Sequence, residues 1–260
     1  MSSTMPATHG HSEACCNVPP VVSQGYKVKG TYETYAGKKT YTVGPDDATK
    51  GIVVVFDIFG YKDQTLQGAD ILATSDNENK YKVFMPDWFD GAPLPLEYHP
   101  SFPPNTPEKQ EALKTFFGKH SPPSVSAKLL AYTQALKQQF PSIKTWGVLG
   151  YCWGGKVVVL TLANDANPFA AGVEAHPAMV DPNDATGLKV PVALLASKDE
   201  TPADVAAFEK NLTVPHHVET FGDQIHGWMA ARSDLADPRV KAEYVRGYET
   251  ALSFFGTHLT

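Results

Sequence analysis

The sequence predicts an α/β protein in which one twisted, mostly parallel sheet has helices on both faces. Short continuous runs of β-branched and apolar residues, such as 51–56, are typical of strands buried on both faces. These runs alternate along the chain with segments of helical periodicity, which is the pattern of β-α-β crossovers. No internal repeat or domain boundary is visible within residues 25–260, so a single domain is expected there.

The first elements differ from the rest, because polar and apolar residues alternate within 26–43 and predict antiparallel strands. The strands predicted for the parallel sheet are 51–56, 81–86, 144–149, 170–175, 190–196 and 216–221. The predicted helices are 63–77, 124–140 with Ser124 as N-cap, 153–163, 202–211 and 240–255.

The composition excludes several classes of protein. Hydrophobic residues make up 42% of the 260 residues, which excludes wholesale disorder. The formal charge of −6 argues against nucleic acid or an anionic membrane as a partner. No apolar run approaches the roughly 20 residues that span a bilayer, and the N-terminus lacks the features of a secretory signal. Three cysteines cannot form a disulfide framework, so a soluble cytoplasmic protein is expected.

Two segments stand apart from the predicted core. Residues 1–24 are polar and are predicted to form a flexible tail. The tail holds His9, His11, Cys15 and Cys16, but their spacing matches no familiar finger, so no metal is predicted. Residues 86–123 contain nine prolines and several aromatic residues. Such an excursion within a compact domain is typical of a segment that caps a functional site.

Cys152 is the candidate nucleophile. It lies in Gly150-Tyr151-Cys152-Trp153-Gly154, where a predicted strand ends and a predicted helix begins, which is the pattern G-x-nucleophile-x-G. The two glycines leave room for the strand and the helix to approach each other. The partial positive charge at a helix N-terminus favours a thiolate, and the Trp153 N–H can donate to an oxyanion.

An acid and a base follow in the order that a catalytic triad of this type requires. Asp199 comes after a buried strand, and His226 lies on the loop after the next strand. Glu200 is the nearest rival to Asp199. His176 ends a strand at the same edge of the sheet and is a candidate for the wall of the pocket, although a structural role is the alternative.

With these residues placed, the chain resembles the dienelactone hydrolase family, and its fungal members especially. The matching blocks lie within residues 25–256 and are Phe56–Gly60, Met85–Phe89, Gly150–Lys156, Lys198-Asp199 and His226–Trp228. The resemblance implies an α/β-hydrolase fold and a Cys152–His226–Asp199 triad that hydrolyses esters or lactones without a metal or other cofactor. It also implies an oxyanion hole made by the N–H groups of Ile58 and Trp153.

The resemblance extends to other residues around the site. Asp57 stands where relatives often have a glutamate that interacts with the resting thiol, and a structural Asp that caps the loop is the alternative. The residues expected to line the substrate pocket are Trp88, Phe89, Tyr151, His176, Trp228 and Arg232. For Trp88, Phe89 and Trp228 a position in the ordinary core is the alternative.

The substrate is expected to be a small ester or lactone. Bacterial dienelactone enzymes hold the substrate carboxylate with two arginines. The first is absent from this chain, and Arg232 is displaced by about two residues, so a substrate with a more apolar acyl part is an alternative to dienelactone. A non-catalytic binding protein and a thiol-redox protein remain as alternative functions, and the oligomer could be a monomer or a homodimer.

Overall fold

The computed structural model describes residues 18–76, 78–98 and 106–260. Within these ranges the strands form one eight-stranded sheet with the order β1-β2-β4-β3-β5-β6-β7-β8. The strands are β1 Thr31–Tyr35, β2 Lys38–Val43, β3 Lys50–Val55, β4 Tyr81–Pro86, β5 Thr145–Tyr151, β6 Ala171–Ala175, β7 Val192–Ser197 and β8 His216–Phe221. The pairs β1–β2 and β2–β4 are antiparallel and the other five are parallel, so the predicted fold class is confirmed.

Six α-helices belong to the described residues, and most of them connect strands of the sheet. They are α1 Asp63–Thr74, α2 Pro107–Lys119, α3 Pro122–Gln139, α4 Trp153–Leu162, α5 Pro202–Asn211 and α6 Pro238–His258. A single turn of 3₁₀ helix spans Leu96–Tyr98, and a second spans Asp184–Gly187. Within the described part of the chain, no helix is both long enough and apolar enough to cross a membrane.

The start of α3 differs from the prediction. The helix begins at Pro122 and its N-cap is Ser121, three residues before the predicted cap Ser124. Pro122 and Pro123 therefore occupy the first helical positions, where a missing N–H costs nothing and a fixed φ favours the helix. The two prolines thus belong to the first turn of α3 and not to the loop before it.

The boundary predicted for the N-terminal tail is also wrong over its last residues. Val21 is buried, and Val22 forms two backbone hydrogen bonds with the side chain of Gln67, at 2.8 and 3.0 Å. The folded part of the chain therefore includes residues that the predicted tail, 1–24, contained. The possible metal ligands His9, His11, Cys15 and Cys16 lie outside the described residues.

The predicted cap segment contains a helix that the sequence analysis did not identify. This helix is α2, and its N-cap is Thr106, whose side chain accepts a hydrogen bond from the Lys109 N–H at 3.3 Å. Only Phe116 of this helix is buried. Because α2 contributes so little to the core, its apolar pattern is weak, and a segment rich in proline does not reveal it.

Candidate active site

Cys152 lies in a sharp turn between β5 and α4. Its backbone has φ 54° and ψ −118°, a left-handed conformation that costs a non-glycine residue of order 1–3 kcal/mol. The neighbouring glycines make the turn possible. A Cβ on Gly150 would lie 2.2 Å from the Gly154 oxygen, and a Cβ on Gly154 would lie 2.2 Å from the Val55 oxygen. The structure thus confirms that the two glycines allow strand and helix to approach closely.

Three backbone hydrogen bonds hold the turn in place. The Cys152 N–H donates to the Ala175 carbonyl at 3.1 Å, and the Cys152 carbonyl accepts from Gly155 and Ala178 at 3.0 and 2.9 Å. The turn is therefore tied both to its own helix and to the end of β6. This fixed backbone presents the thiol at the carboxyl edge of the parallel sheet.

His226 lies on the loop after β8 and contacts the thiol. Its side chain is only 20% exposed, and Nδ1 lies 2.6 Å from Glu200 Oε1. Burial on its own would lower the pKa of His226. The charge of Cys152 and a hydrogen bond with it, together with the bond and charge of Glu200, instead raise the pKa to about 10. The ring is therefore an imidazolium at neutral pH when the thiolate is beside it.

The carboxylate that contacts the His226 ring is that of Glu200, and this corrects the prediction of Asp199. The Glu200 side chain is 4% exposed, and its second oxygen accepts the backbone N–H of Ser197. Asp199 is exposed, and its carboxylate accepts the backbone N–H of His226 at 2.8 Å. The turn after β7 points the Glu200 side chain inward to the His226 ring. Asp199 instead binds the backbone of the loop that carries His226.

Asp57 is buried directly after β3 and binds backbone amides. One oxygen accepts the Phe59 N–H at 2.9 Å, and the other accepts the Ala231 N–H at 3.2 Å. Burial raises the pKa of Asp57 to about 6, and the two amide bonds limit that rise. These bonds match the structural alternative from the sequence analysis, and not the predicted interaction with the thiol. Asp57 joins the loop after β3 to the loop after β8.

The two predicted oxyanion donors lie beside Cys152. Ile58 and Trp153 both line the cavity that contains the thiol. Among the described residues, neither backbone N–H donates a hydrogen bond. The Trp153 indole points away from the cavity, and its Nε1–H donates to the His120 carbonyl at 3.0 Å. That bond fastens the start of α4 to the end of α2.

His176 lies behind the site instead of lining it. It is fully buried, its ring stacks on Tyr151 at 5.8 Å, and it meets the His226 ring edge-on at 5.2 Å. Within the described chain neither of its ring nitrogens has a hydrogen-bond partner. Burial, and then the charge of His226, lower its pKa well below the ordinary value, so His176 is neutral. It packs against the His226 ring from behind.

The cavity has a volume of about 610 Å³ and corrects the predicted pocket. Of the six residues expected to line it, only Arg232 does so. The other five are buried behind its walls, namely Trp88, Phe89, Tyr151, His176 and Trp228. They pack on core rings instead: Phe89 contacts Trp153 at 5.1 Å, and Trp228 contacts Phe221 at 4.2 Å.

Half of the residues that line the cavity were not predicted from the sequence. The missed residues lie on α2, after β6 and at the start of α5, and they are Phe117, Pro177, Ala178, Met179, Val180, Thr201 and Asp204. Residues 177–180 follow the carboxyl end of β6, at the same edge of the sheet as Cys152. This position in the sequence could have indicated that they line the cavity. Met179 is 51% exposed and has a left-handed φ of 57°.

Comparisons with known proteins agree with this geometry. A model of the dienelactone hydrolase family matches residues 39–259. An uncharacterised AIM2 family protein of Schizosaccharomyces pombe is 35% identical over 240 residues, which cover 90% of this chain and 93% of that protein. A carboxymethylenebutenolidase homologue of Homo sapiens is 28% identical over 216 residues, which cover 78% of this chain and 80% of that protein.

The similarity extends to solved structures. A dienelactone hydrolase from Anabaena variabilis matches with a TM-score of 0.61 at 15% identity, covering 90% of this chain and 99% of that one. At this identity the match supports the fold alone. The α/β-hydrolase fold expected from the sequence is thereby confirmed.

Proposed function

The chain belongs to the dienelactone hydrolase family and is a hydrolase, and from this premise we propose that it cleaves carboxylic esters or lactones through a thioester on Cys152. One observation carries the proposal. A cysteine in a strained turn at a helix N-terminus contacts a histidine whose other ring nitrogen is 2.6 Å from a buried carboxylate. Nucleophile, base and orienting acid are thus aligned as nucleophilic catalysis requires.

In the proposed first half-reaction the Cys152 thiolate attacks the carbonyl carbon. A carbon–sulfur bond forms, and the carbonyl electron pair moves to the oxygen, where the Ile58 and Trp153 N–H groups donate to it. The tetrahedral species collapses, the carbon–oxygen bond to the leaving group breaks, and the His226 imidazolium gives its proton to the departing alkoxide. An ester releases an alcohol, whereas a lactone opens and keeps the new hydroxyl attached.

The second half-reaction hydrolyses the thioester. Neutral His226 takes a proton from water as the water oxygen attacks the thioester carbonyl. The second tetrahedral species expels the Cys152 thiolate and releases the carboxylic acid, which restores the imidazolium–thiolate pair. Glu200 stabilises the imidazolium in both halves and holds the ring with its Nδ1–H directed away from the substrate.

The substrate is a small molecule, since the cavity holds about 610 Å³. The carboxymethylenebutenolidase homologue of Homo sapiens is named for a lactone hydrolase, and this similarity supports lactones beside simple esters as candidates. No cofactor takes part in the proposed reaction, because the thiol, the imidazole and water supply every atom that is transferred.

Mass spectrometry of the intact protein tests the proposal. Wild type, Cys152→Ala, and a double variant with Cys15→Ala and Cys16→Ala are mixed with p-nitrophenyl acetate, a dienelactone and an aromatic lactone, and quenched at short times. Wild type and the double variant should carry one transient acyl group on Cys152 and turn over. Cys152→Ala should lose at least about 10³-fold in kcat/KM while its circular dichroism spectrum stays unchanged. Undiminished hydrolysis by Cys152→Ala would refute the proposed nucleophile.

A further inference from the structure

We propose, building on the proposed function, that the cavity selects uncharged or cationic esters and lactones and disfavours substrates that bear a carboxylate. Its lining combines two kinds of residue. One set is apolar and consists of Ile58, Phe117, Pro177, Ala178, Met179 and Val180. The other set is acidic and consists of Asp199, Glu200 and Asp204.

The three acidic residues belong to two consecutive segments, the turn after β7 and the first turn of α5. Asp199 is exposed in the turn after β7, where its carboxylate accepts the His226 backbone N–H. Asp204 lies in the first turn of α5 and is partly exposed. Glu200 is buried and engaged with the His226 ring. Two of the three carboxylates are therefore accessible to an approaching substrate.

The His226 ring is engaged with Glu200, so Arg232 is the cation that would have to compensate the exposed carboxylates. Among the described residues that line the cavity it is the only lysine or arginine. Its stem packs on Gly227, and its Nε is buried without a hydrogen-bond partner in the described chain. Burial lowers the pKa of Arg232, and the negative charges of Asp199, Cys152, Asp57 and Glu200 oppose that fall. Arg232 already lies in the field of these groups, so an incoming carboxylate competes with them for it.

Charge and shape then favour the same class of substrate. An apolar acyl or alcohol group can cover the exposed Met179 side chain and the ring of Phe117, which gains burial of apolar surface. A carboxylate on a substrate bound in this cavity would lose part of its hydration and would be repelled by the carboxylates of Asp199 and Asp204. A quaternary ammonium group would be attracted by those same carboxylates.

Three phenyl esters of equal chain length test this selectivity. They are phenyl hexanoate, monophenyl adipate and phenyl 6-(trimethylammonio)hexanoate, which differ in the charge at the end of the acyl chain. We expect kcat/KM for the hexanoate to exceed that for the adipate by at least about tenfold at low salt, with the cationic ester at least as good as the hexanoate. Added salt should narrow the difference, because the exposed carboxylates are screened.

Two variants locate the effect. Asp204→Asn should raise the adipate-to-hexanoate ratio of kcat/KM by about threefold. Glu209→Gln removes an exposed charge from the same helix but away from the cavity, and it should leave the ratio unchanged. Equal or faster hydrolysis of the adipate by wild type would overturn the inference and make Arg232 an anchor for anions.

Acylation of Cys152, followed by mass for each ester, separates the two possible failures. If all three esters acylate Cys152 and the adipate is not disfavoured, the selectivity is wrong and the proposed function stands. If no ester acylates Cys152, the proposed function fails, and the selectivity that rests on it fails as well.

Discussion

The floor and the rim of the cavity are built in different ways. The floor comprises Cys152, Glu200 and His226 with Asp57 and His176 behind them, and buried bonds or ring contacts hold each of these residues. The rim comprises Phe117, Met179, Val180 and Asp204, of which Met179 is exposed and the other three are half-buried.

The helices next to the two regions show the same contrast. α4, whose N-cap is Cys152, buries eight of its ten residues, whereas α2, which carries Phe117, buries one of thirteen. This difference indicates that the geometry of the reaction is fixed by the sheet edge, while substrate preference depends on side chains that can change without disturbing the core. Substitutions on the floor should therefore alter kcat or stability, and substitutions on the rim should alter KM and selectivity.

The largest effect is expected within the floor, at the two adjacent acids. Glu200→Gln should lower kcat/KM by about 10³-fold, because the amide cannot hold the His226 tautomer or stabilise the imidazolium. It should also lower the pKa of His226, which the Glu200 bond and charge help to raise. Steady-state kinetics and NMR titration of the imidazole measure both effects.

Asp199→Asn is the matched control for Glu200→Gln. Its amide oxygen can still accept the His226 N–H, so a loss of about tenfold or less is expected. If Asp199→Asn were the more damaging variant, the orienting acid would be Asp199, and the division of roles between the two acids would be wrong.

A second test concerns what the floor costs in stability. The pKa of Asp57 is raised from 3.8 to about 6 in the folded protein, so its contribution to stability is fully present below pH 3.8 and is lost as pH rises through about 6. Relative to Asp57→Asn, wild type should lose about 2.4 kcal/mol of unfolding free energy between pH 4 and pH 7. Urea unfolding at a series of pH values measures this difference.

The exposed Asp63, changed to Asn, is the control for the loss of an acid in that titration. A difference between wild type and Asp57→Asn that stays constant from pH 4 to pH 7 would show that Asp57 is ionised in the fold without penalty. The floor would then be less constrained than its burial indicates.

The smallest effect is expected on the rim. Phe117→Ala should raise KM for an apolar ester about fivefold and leave kcat within about twofold, because it removes apolar contact area without moving the floor. Phe116→Ala is the contrast, since Phe116 is buried and packs on Phe89 and His120 at 4.8 and 4.9 Å. It should lower the melting temperature, which Phe117→Ala should not. A fall in kcat for Phe117→Ala would remove the distinction between floor and rim.

Much of the fold could be predicted from the sequence because its signals are local. Buried strands such as 51–56 are continuous apolar runs, and Gly150 and Gly154 flank Cys152 for a steric reason that any chain must obey. The edge of the sheet that carries the site follows from strand direction alone. These features need no knowledge of side-chain orientation.

What could not be predicted depends on orientation. Asp199 and Glu200 are adjacent acids after the same strand, and only the turn decides which of them reaches His226. Likewise, composition cannot separate an aromatic residue in a wall from one behind it. Trp88 and Trp228 are core residues, while Phe117 on a sparsely packed helix faces the cavity.

The hydrogen bond from Ala231 to Asp57 joins residues that are 174 positions apart. During synthesis on the ribosome, Cys152 is made before Glu200 and His226. Asp57 is made earlier still, long before Ala231, whose N–H its carboxylate accepts in the folded protein. A chain that ends before Glu200 therefore lacks the His226 ring that contacts Cys152 and the Glu200 carboxylate that binds this ring. The site is complete only after β8 and the loop that follows it have joined the sheet, so a chain that lacks this part should not form the contact between Cys152 and His226.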